Sequence, residues 1–336
     1  MKKKYLSWLF FSLSLLIALV IAVIYSVSVG EVNISISDIP SILRSGDGME
    51  YFILTKIRIP RVILAIAVGG SLGLTGAILQ GIYRNPLVEP YTLGISGGAS
   101  LGVTLVVIFG LYDAGMYALP LAGFIGALLT IFLVYTLGMK RGNLDINRML
   151  LIGVMISFVT SSIIMFMMSV STTDKLHGII FWVMGSLDEP NTNLIRVIIS
   201  ISIIGLVASY LFARPLNALQ LGQAKATHLG INASTSIQIL FVIASLMAGA
   251  CVSVAGVIGF VGLIIPHMAR QIVGTDYRIL LLSSFLGGGL FLVLSDIIAR
   301  TIIAPSELPI GVITGMVGGV VFMVVLSNIR RKSKLS

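Results

Sequence analysis

The sequence predicts an all-α, polytopic membrane protein with about ten transmembrane helices, one of them a short half-helix, and with both termini in the cytoplasm. Hydrophobic residues fill 57% of the 336 positions, charged residues only 10%, and the mean hydropathy is +1.06. Soluble domains carry roughly a quarter of charged residues. Uncharged apolar runs near the length of a membrane span recur along the chain. We therefore expect one membrane domain over residues 1–336.

The first two spans follow from the apolar runs. The run 6–29 follows a basic start and is too long for a signal peptide, so we expect an anchored helix with a cytoplasmic N-terminus. The next span, 58–82, carries Gly69 and Gly73 in the small-xxx-small pattern that lets membrane helices approach closely. The segment 83–90 that follows is predicted to be a cytoplasmic turn, and its prolines mark a helix break.

The later spans include one irregular region. Residues 176–187 are too short to cross and predict a helix on the outer surface. Residues 226–269 carry no formal charge, histidines aside, which is too long for one span. We expect a full span to about Ala255 and then a half-helix returning to Pro266-His267. Further spans are predicted at 92–110, 116–138, 146–168, 193–213, 277–303 and 311–329.

The basic residues support this topology. With both termini inside, fifteen of the 22 Lys and Arg residues lie in the cytoplasm, including the cluster from Arg330 to Lys334. The net charge of +9 is therefore explained by the bilayer, and nucleic acid is not a predicted partner. Cys251 is the single cysteine, which excludes a disulfide framework and a paired-cysteine metal site.

One polar segment, residues 214–230, lies between two apolar runs. Its apolar and polar residues alternate at helical spacing, and Gly222 and Gly230 predict a division into two short helices. A membrane-surface loop would account for it. Its size and amphipathic pattern favour a docking surface for a soluble partner.

Three arginines stand at the outer ends of spans. Arg58 and Arg61 are about one helical turn apart, and Arg300 lies near the end of a later span. Charge in a membrane is costly and usually has a partner or a role. One interpretation is snorkelling of the first two and an i,i+4 salt bridge from Asp296 to Arg300. The other is a cationic outer rim that receives carboxylates from an external protein.

Several motifs in order resemble one family over residues 58–326. They are Arg58-Ile-Pro-Arg61, Asn85-Pro-Leu-Val-Glu-Pro90 with Leu93-Gly94, Trp182-Val-Met-Gly-Ser-Leu187, Leu221-Gly222 to Leu229-Gly230, Gly259-Phe-Val-Gly-Leu-Ile-Ile-Pro-His267 with Arg270, and Glu307-Leu-Pro-Ile-Gly311. The chain resembles the permease subunits of FecCD-type ABC importers, which carry iron–siderophore complexes, haem or cobalamin.

The resemblance implies an assembly in the bacterial plasma membrane: two permease subunits, identical or related, a cytoplasmic ATPase dimer and an external substrate-binding protein. ATP and Mg²⁺ would be bound by the ATPase, and this chain would hold no cofactor or metal and act as no enzyme. Iron–siderophore is the expected cargo, with haem or cobalamin as alternatives and the pathway-lining residues open. ATPase coupling would fall on Leu219, Leu221, Gly222, Gln223, Ala226, Leu229 and Gly230, and docking of the binding protein on Arg58, Arg61 and Arg300.

Gln223 departs from the family pattern, which usually has an acidic residue at this position. The resemblance therefore leaves open whether a charge contact with the ATPase is missing or is replaced, with His228 as one candidate. The departure bears on ATPase selectivity and leaves the transport prediction unchanged.

Other functions are less well supported by the sequence. No Gly-Lys dipeptide occurs, which excludes a P-loop and places phosphate chemistry on a partner. An intramembrane serine protease could use Ser96 of Gly94-Ile-Ser-Gly97 with His267 as its base, but both residues are expected at cytoplasmic helix ends beside prolines. A secondary transporter would want intramembrane acids for ion coupling, and the sequence places only Asp296 inside a span.

Overall fold

The computed structural model describes residues 2–140, 143–189 and 191–333, and it is a bundle of helices. Arg141 and Lys334, two of the fifteen basic residues predicted to lie in the cytoplasm, are outside the described residues. Within the described part, seven helices are long and apolar enough to cross a membrane, and three apolar helices are shorter. Together they match the predicted number of about ten, and the all-α class is confirmed.

The first half of the chain contains helices α1 to α8. The first four are α1 Lys2–Ser28, α2 Ile39–Ser45, α3 Met49–Phe52 and, after a π-helical turn over Ile53–Arg58, α4 Ile59–Tyr83. The next four are α5 Ile95–Ile108, α6 Ala118–Gly138, α7 Ile146–Ser169 and α8 Thr173–Met184. Two-residue strands β1 Met139–Lys140 and β2 Asn143–Leu144 pair antiparallel between α6 and α7.

The second half contains helices α9 to α15. They are α9 Thr192–Leu211, α10 Ala213–Leu219, α11 Gln223–His228, α12 Ala233–Ala255, α13 Val261–Val273, α14 Tyr277–Thr301 and α15 Ile310–Ser333. The predicted surface helix at 176–187 is present as α8, somewhat earlier in the chain than expected.

Helix α4 is the centre of the bundle, and small residues bring it close to α14. A Cβ added at Gly69 would lie 2.3 Å from the carbonyl oxygen of Gly288, and one added at Gly73 would lie 2.3 Å from that of Ser284. The two backbones therefore touch, as the small-xxx-small pattern predicts. A larger residue at either position would push the helices apart.

The segment after α4 re-enters the bundle, which corrects the prediction of a simple cytoplasmic turn at 83–90. Gly262 lies against both Pro90 and the carbonyl of Leu72, and Leu72 is halfway along the 25-residue helix α4. Pro90 therefore reaches the middle depth of the bundle. A 3₁₀ turn over Pro90–Leu93 leads into α5, whose 14 residues need cover only the remaining half.

The half-helix after α12 is confirmed, but its predicted end at Pro266-His267 is wrong: α13 continues to Val273. A proline inside a helix leaves the carbonyl four residues earlier without its N–H donor. Here that carbonyl belongs to Gly262, and the side-chain amide of Gln80 donates to it at 3.2 Å. Gln80 on α4 thus supplies the missing hydrogen bond and lets α13 pass through Pro266.

Helix α14 defines two ends of the molecule. Its 25 residues extend about 37 Å at 1.5 Å per residue. Asp276 caps its start, beside the segment 214–230, and Asp296 and Arg300 lie near its finish. We call these the loop end and the arginine end.

Candidate docking sites

At the loop end, residues 213–230 fold as the sequence predicts. Helices α10 and α11 are separated at Gly222, whose φ is +105°, and the segment closes at Gly230, whose φ is +80°. Both angles lie in the region that favours glycine. Gly222 is therefore the N-cap at which α11 begins, and Gly230 follows the end of α11.

The seven residues predicted to couple to an ATPase divide between two faces. Leu219 and Ala226 are buried and hold the segment against the bundle. Leu221 and Leu229 are 56% and 62% exposed. Gln223 and Gly230 are also exposed, and Gly222 is half-buried. Only the exposed residues Leu221, Gln223, Leu229 and Gly230 are available to a partner.

The exposed face is apolar at its centre and basic around it. A cavity of about 420 Å³ is lined by Arg214, Asn217, Ala218, Leu221, Leu229, Ile231 and Arg278. Two leucines flanked by two arginines suit a partner that offers an apolar side chain beside carboxylates. Gln223 lines a neighbouring cavity of about 360 Å³ with Arg84 and Asp145, and His228 is exposed at the end of α11.

Asn217 fastens α10 to the start of α14. Its Nδ2 donates to Asp276 Oδ1 at 2.9 Å, and its Oδ1 accepts from the backbone N–H of Tyr277 at 2.8 Å. Nε2 of Gln220 donates to the hydroxyl of Tyr277 at 3.3 Å. These hydrogen bonds attach the segment 214–230 to the start of α14.

Asp276 is the charged centre of this attachment. The side chain of Arg278 donates to both of its carboxylate oxygens, at 3.1 and 2.8 Å, and lowers the pKa of Asp276 to about 2. Nζ of Lys4, in α1, lies 3.8 Å from Asp276 Oδ2. The carboxylate also accepts the backbone N–H of Arg278 and so caps α14.

We expect Asp276→Ala to lower the stability of the protein by about 1–2 kcal/mol, because it removes a helix cap and the acceptor of Asn217. Asp276→Asn, which can still cap, should cost less. A carboxyl whose folded pKa is depressed stabilises the fold above its unfolded pKa of about 3.9. The difference between wild type and Asp276→Ala should therefore be constant at neutral pH and shrink as pH falls from about 4 towards 2. Thermal unfolding in detergent at several pH values measures it, and a difference that does not depend on pH would contradict the role of the charge.

At the arginine end, Arg58 binds the end of α1. Its Nη1 donates to the carbonyls of Val27 at 2.8 Å and Ser28 at 3.0 Å, and its Nη2 donates to the carbonyl of Val32. These carbonyls belong to the end of α1 and the turn after it, where helical partners run out. Arg58 therefore satisfies backbone groups that would otherwise be unpaired.

Arg61 and Arg300 share one buried carboxylate. Nε of Arg61 donates to Asp296 Oδ1 at 2.8 Å, and Nε of Arg300 donates to Asp296 Oδ2 at 3.0 Å. Nη1 of Arg61 also donates to Glu307 Oε2 at 2.8 Å. Arg300 further donates to the carbonyl of Val29 at 3.0 Å and to the hydroxyl of Ser26 at 2.7 Å. The network joins α1, α4 and α14.

The three predicted docking arginines are thus brought together, and all are buried, at 5%, 9% and 7% exposure for Arg58, Arg61 and Arg300. The salt bridge from Asp296 to Arg300 is confirmed. Arg58 and Arg61 bind groups of the protein itself, so the interpretation that they snorkel to lipid headgroups is wrong. Docking of an external protein at these residues stays a prediction.

The residues of the alternative functions do not form a site. Ser96 lies in the first turn of α5, at the middle depth reached by Pro90. His267 lies within α13, where its Nε2 is 3.0 Å from Nε2 of Gln271 and its ring packs against the ring of Phe322. Within the described part of the chain, no group of three His, Cys, Asp or Glu residues could hold a metal ion.

The roles of Glu307, Asn217 and Glu89 were not predicted from the sequence. Glu89 accepts the backbone N–H of Phe260 at 3.2 Å, at the break before α13. In addition to Asp296, it is a second acidic residue that lies within the depth of the bundle. Its position depends on the re-entrant path of the chain, and the local signal for that path is the pair Pro86 and Pro90.

Comparison with known proteins shows the family of the chain. The model of the FecCD transport family matches residues 18–328. The chain is 36% identical over 312 residues to the hemin transport system permease protein HmuU of Yersinia pestis, with 92% of each chain covered. It is 35% identical over 276 residues to the cobalamin import system permease protein BtuC of Halobacterium salinarum, with 82% of this chain and 73% of the relative covered.

The other similarities extend over nearly the whole chain. Identity is 33% over 319 residues to the iron(3+)-hydroxamate import system permease protein FhuG of Bacillus subtilis, covering 92% of this chain and 94% of the relative. A solved inward-facing conformation of a putative metal-chelate type ABC transporter superposes with a TM-score of 0.86 at 29% identity. It covers 94% of this chain and 98% of the solved one.

Proposed function

Because this chain belongs to the FecCD transport family, and is the permease subunit of an ABC importer of the metal-chelate type, we propose that it carries an iron–siderophore complex across the bacterial plasma membrane. An external binding protein delivers the complex, and a separate ATPase dimer that binds ATP and Mg²⁺ drives the transport. A second permease subunit completes the pathway. No reaction is catalysed by this chain.

The observation that supports the proposal is that the segment 214–230 and the arginine cluster lie at opposite ends of one helix, α14. At the loop end, two exposed leucines lie between Arg214 and Arg278, and Asn217 links this segment to α14. At the arginine end, the same helix carries Asp296 and Arg300. A transporter driven from one side and loaded from the other needs such a connection.

The residues divide into distinct roles in this mechanism. Leu221 and Leu229 enter the ATPase, with Gln223 and Gly230 at the edge of the contact, and Leu219, Ala226 and Gly222 shape the segment that carries them. Closure of the ATPase dimer around ATP moves the segment and shifts the permease between outward-open and inward-open states. ATP drives this shift only if the ATPase binds the two states with different affinity.

At the arginine end, docking of the binding protein rests on charge. The three arginines outnumber the two acids they bind, Asp296 and Glu307, so the cluster has a net charge of +1. An acidic lobe of a binding protein complements this charge, which steers association and fixes orientation.

The cargo is the finer part of the proposal. The relatives are named for hemin, cobalamin and ferric hydroxamate transport, so the family accepts several bulky chelates. We propose ferric siderophore, with haem and cobalamin as the alternatives that the experiment separates.

The test is ATP-dependent uptake into proteoliposomes that contain this chain with its ATPase and binding protein. We expect uptake of radiolabelled ferric siderophore, no uptake when ATP is replaced by a non-hydrolysable analogue, and competition by unlabelled ferric siderophore only. Uptake of haem or cobalamin instead would change the cargo and keep the machine. Uptake without the ATPase would contradict the importer assignment.

A further inference from the structure

Arg61 binds two carboxylates that are held very differently. Its side chain is 10% exposed, and each carboxylate lies 2.8 Å from one of its nitrogens. Asp296 is on α14 and its side chain is 0% exposed. The Glu307 side chain is 44% exposed and belongs to the connection between α14 and α15, where residues 302–307 are all exposed. One bond is internal to the bundle, and the other is at its surface.

We propose that the carboxylate of Glu307 binds Arg61 in the free permease and is displaced from it by an acidic side chain of an external protein. The inference rests on the proposed function, in which a binding protein docks at the arginine end. It identifies Arg61 as the arginine that exchanges its partner, and it assigns Arg58 and Arg300 to holding the end of α1.

The partners of the other two arginines cannot leave in the same way. Arg58 binds backbone carbonyls at the end of α1, and Arg300 binds Ser26 and Val29 there in addition to Asp296. Releasing them would require α1 to move and would leave backbone carbonyls without donors. Releasing Glu307 requires only an exposed connection to shift, and such segments open at low free energy.

The structure also provides room for the incoming group. A cavity of about 230 Å³ adjoins Arg61 and Glu307 and is bounded by Phe181, residues 185–187 and residues 308–310. The two charged residues in its lining are Arg61 and Glu307. A side chain that enters here gains a charge-assisted hydrogen bond only if it brings a carboxylate, because the open partner is a guanidinium.

The exchange is tested on the full chain in lipid nanodiscs with hydroxyphenylglyoxal, which modifies arginine, followed by mass spectrometry of the peptides. In wild type we expect slow modification of all three arginines. In Glu307→Gln, modification of Arg61 should be faster by about fivefold, the effect of losing a partly exposed ion pair. Arg58 and Arg300 should be unchanged. Asp188→Asn removes an exposed acid close to the cavity lining and is the matched control; it should behave as wild type.

A small carboxylate then probes the vacated position. Glutarate should protect Arg61 in Glu307→Gln at lower concentration than in wild type, and neutral glutaramide should not protect it. An unchanged rate at Arg61 would overturn the proposal. So would equal acceleration at all three arginines, since Glu307 would then hold the whole arginine end together.

Uptake measured on the same preparations separates the two proposals. Faster modification of Arg61 in Glu307→Gln, together with no import of chelate by the wild-type chain, would support the exchange and contradict the importer. Uptake by wild type with Arg61 unreactive in Glu307→Gln would support the importer and contradict the exchange.

Discussion

Replacing Leu221 and Leu229 together by glutamate is expected to abolish ATP-driven uptake while leaving the permease folded. Both side chains are more than half exposed, so the fold does not depend on burying them. In the complex they would occupy an apolar groove of the ATPase, and a buried unpaired carboxylate there is costly. A loss of about 1.4 kcal/mol or more in binding the ATPase corresponds to at least tenfold weaker association.

The measurement is co-purification of the ATPase with the detergent-solubilised permease, followed by uptake in proteoliposomes. Leu43→Glu is the matched control, because Leu43 is 41% exposed but lies in α2, between α1 and α4 at the arginine end. It should retain the ATPase. Leu219→Glu provides a contrast: Leu219 is 2% exposed, and its substitution should reduce the amount of folded protein. Wild-type association in the Leu221/Leu229 double variant would contradict the coupling assignment.

The loop end could be predicted because its information is local. Gly222 separates the two short helices and Gly230 follows the second, at positions that the sequence itself displays, and the amphipathic spacing marks the exposed face. Capping by Asp276 of the helix that follows is likewise a short-range signal. The contact of Asp276 with Asn217 could not be predicted, since 59 positions separate them.

The arginine end was only partly predictable for the same reason. The i,i+4 spacing reveals the bond from Asp296 to Arg300, but Arg61 binds Asp296 across 235 positions, and Arg58 binds backbone carbonyls that no residue type announces. The sequence therefore left open whether these cations snorkel, pair internally or meet an external partner, and packing of α1, α4 and α14 gives all three arginines partners within the protein. Likewise Pro266 indicates a helix end until Gln80 is seen to donate to Gly262.

Asp296→Ala is expected to be the most destabilising single substitution at the arginine end. The carboxylate is 0% exposed and accepts from both Arg61 and Arg300, so its removal leaves two guanidinium groups in a buried site without that acceptor. Removing one side of a buried ion pair costs about 3–5 kcal/mol. We expect a fall in Tm of about 5 °C or more in detergent, given the size of the chain.

A second substitution distinguishes charge from packing. In the Asp296→Ala background, Arg300→Leu removes one of the unpaired cations and should recover part of the loss, so that the double variant is more stable than the sum of the single effects predicts. Recovery should be incomplete, because Arg300 also binds Ser26 and Val29 at the end of α1. Strictly additive effects would show that Asp296 acts by filling space on α14, and would remove the basis for treating the three arginines as one network.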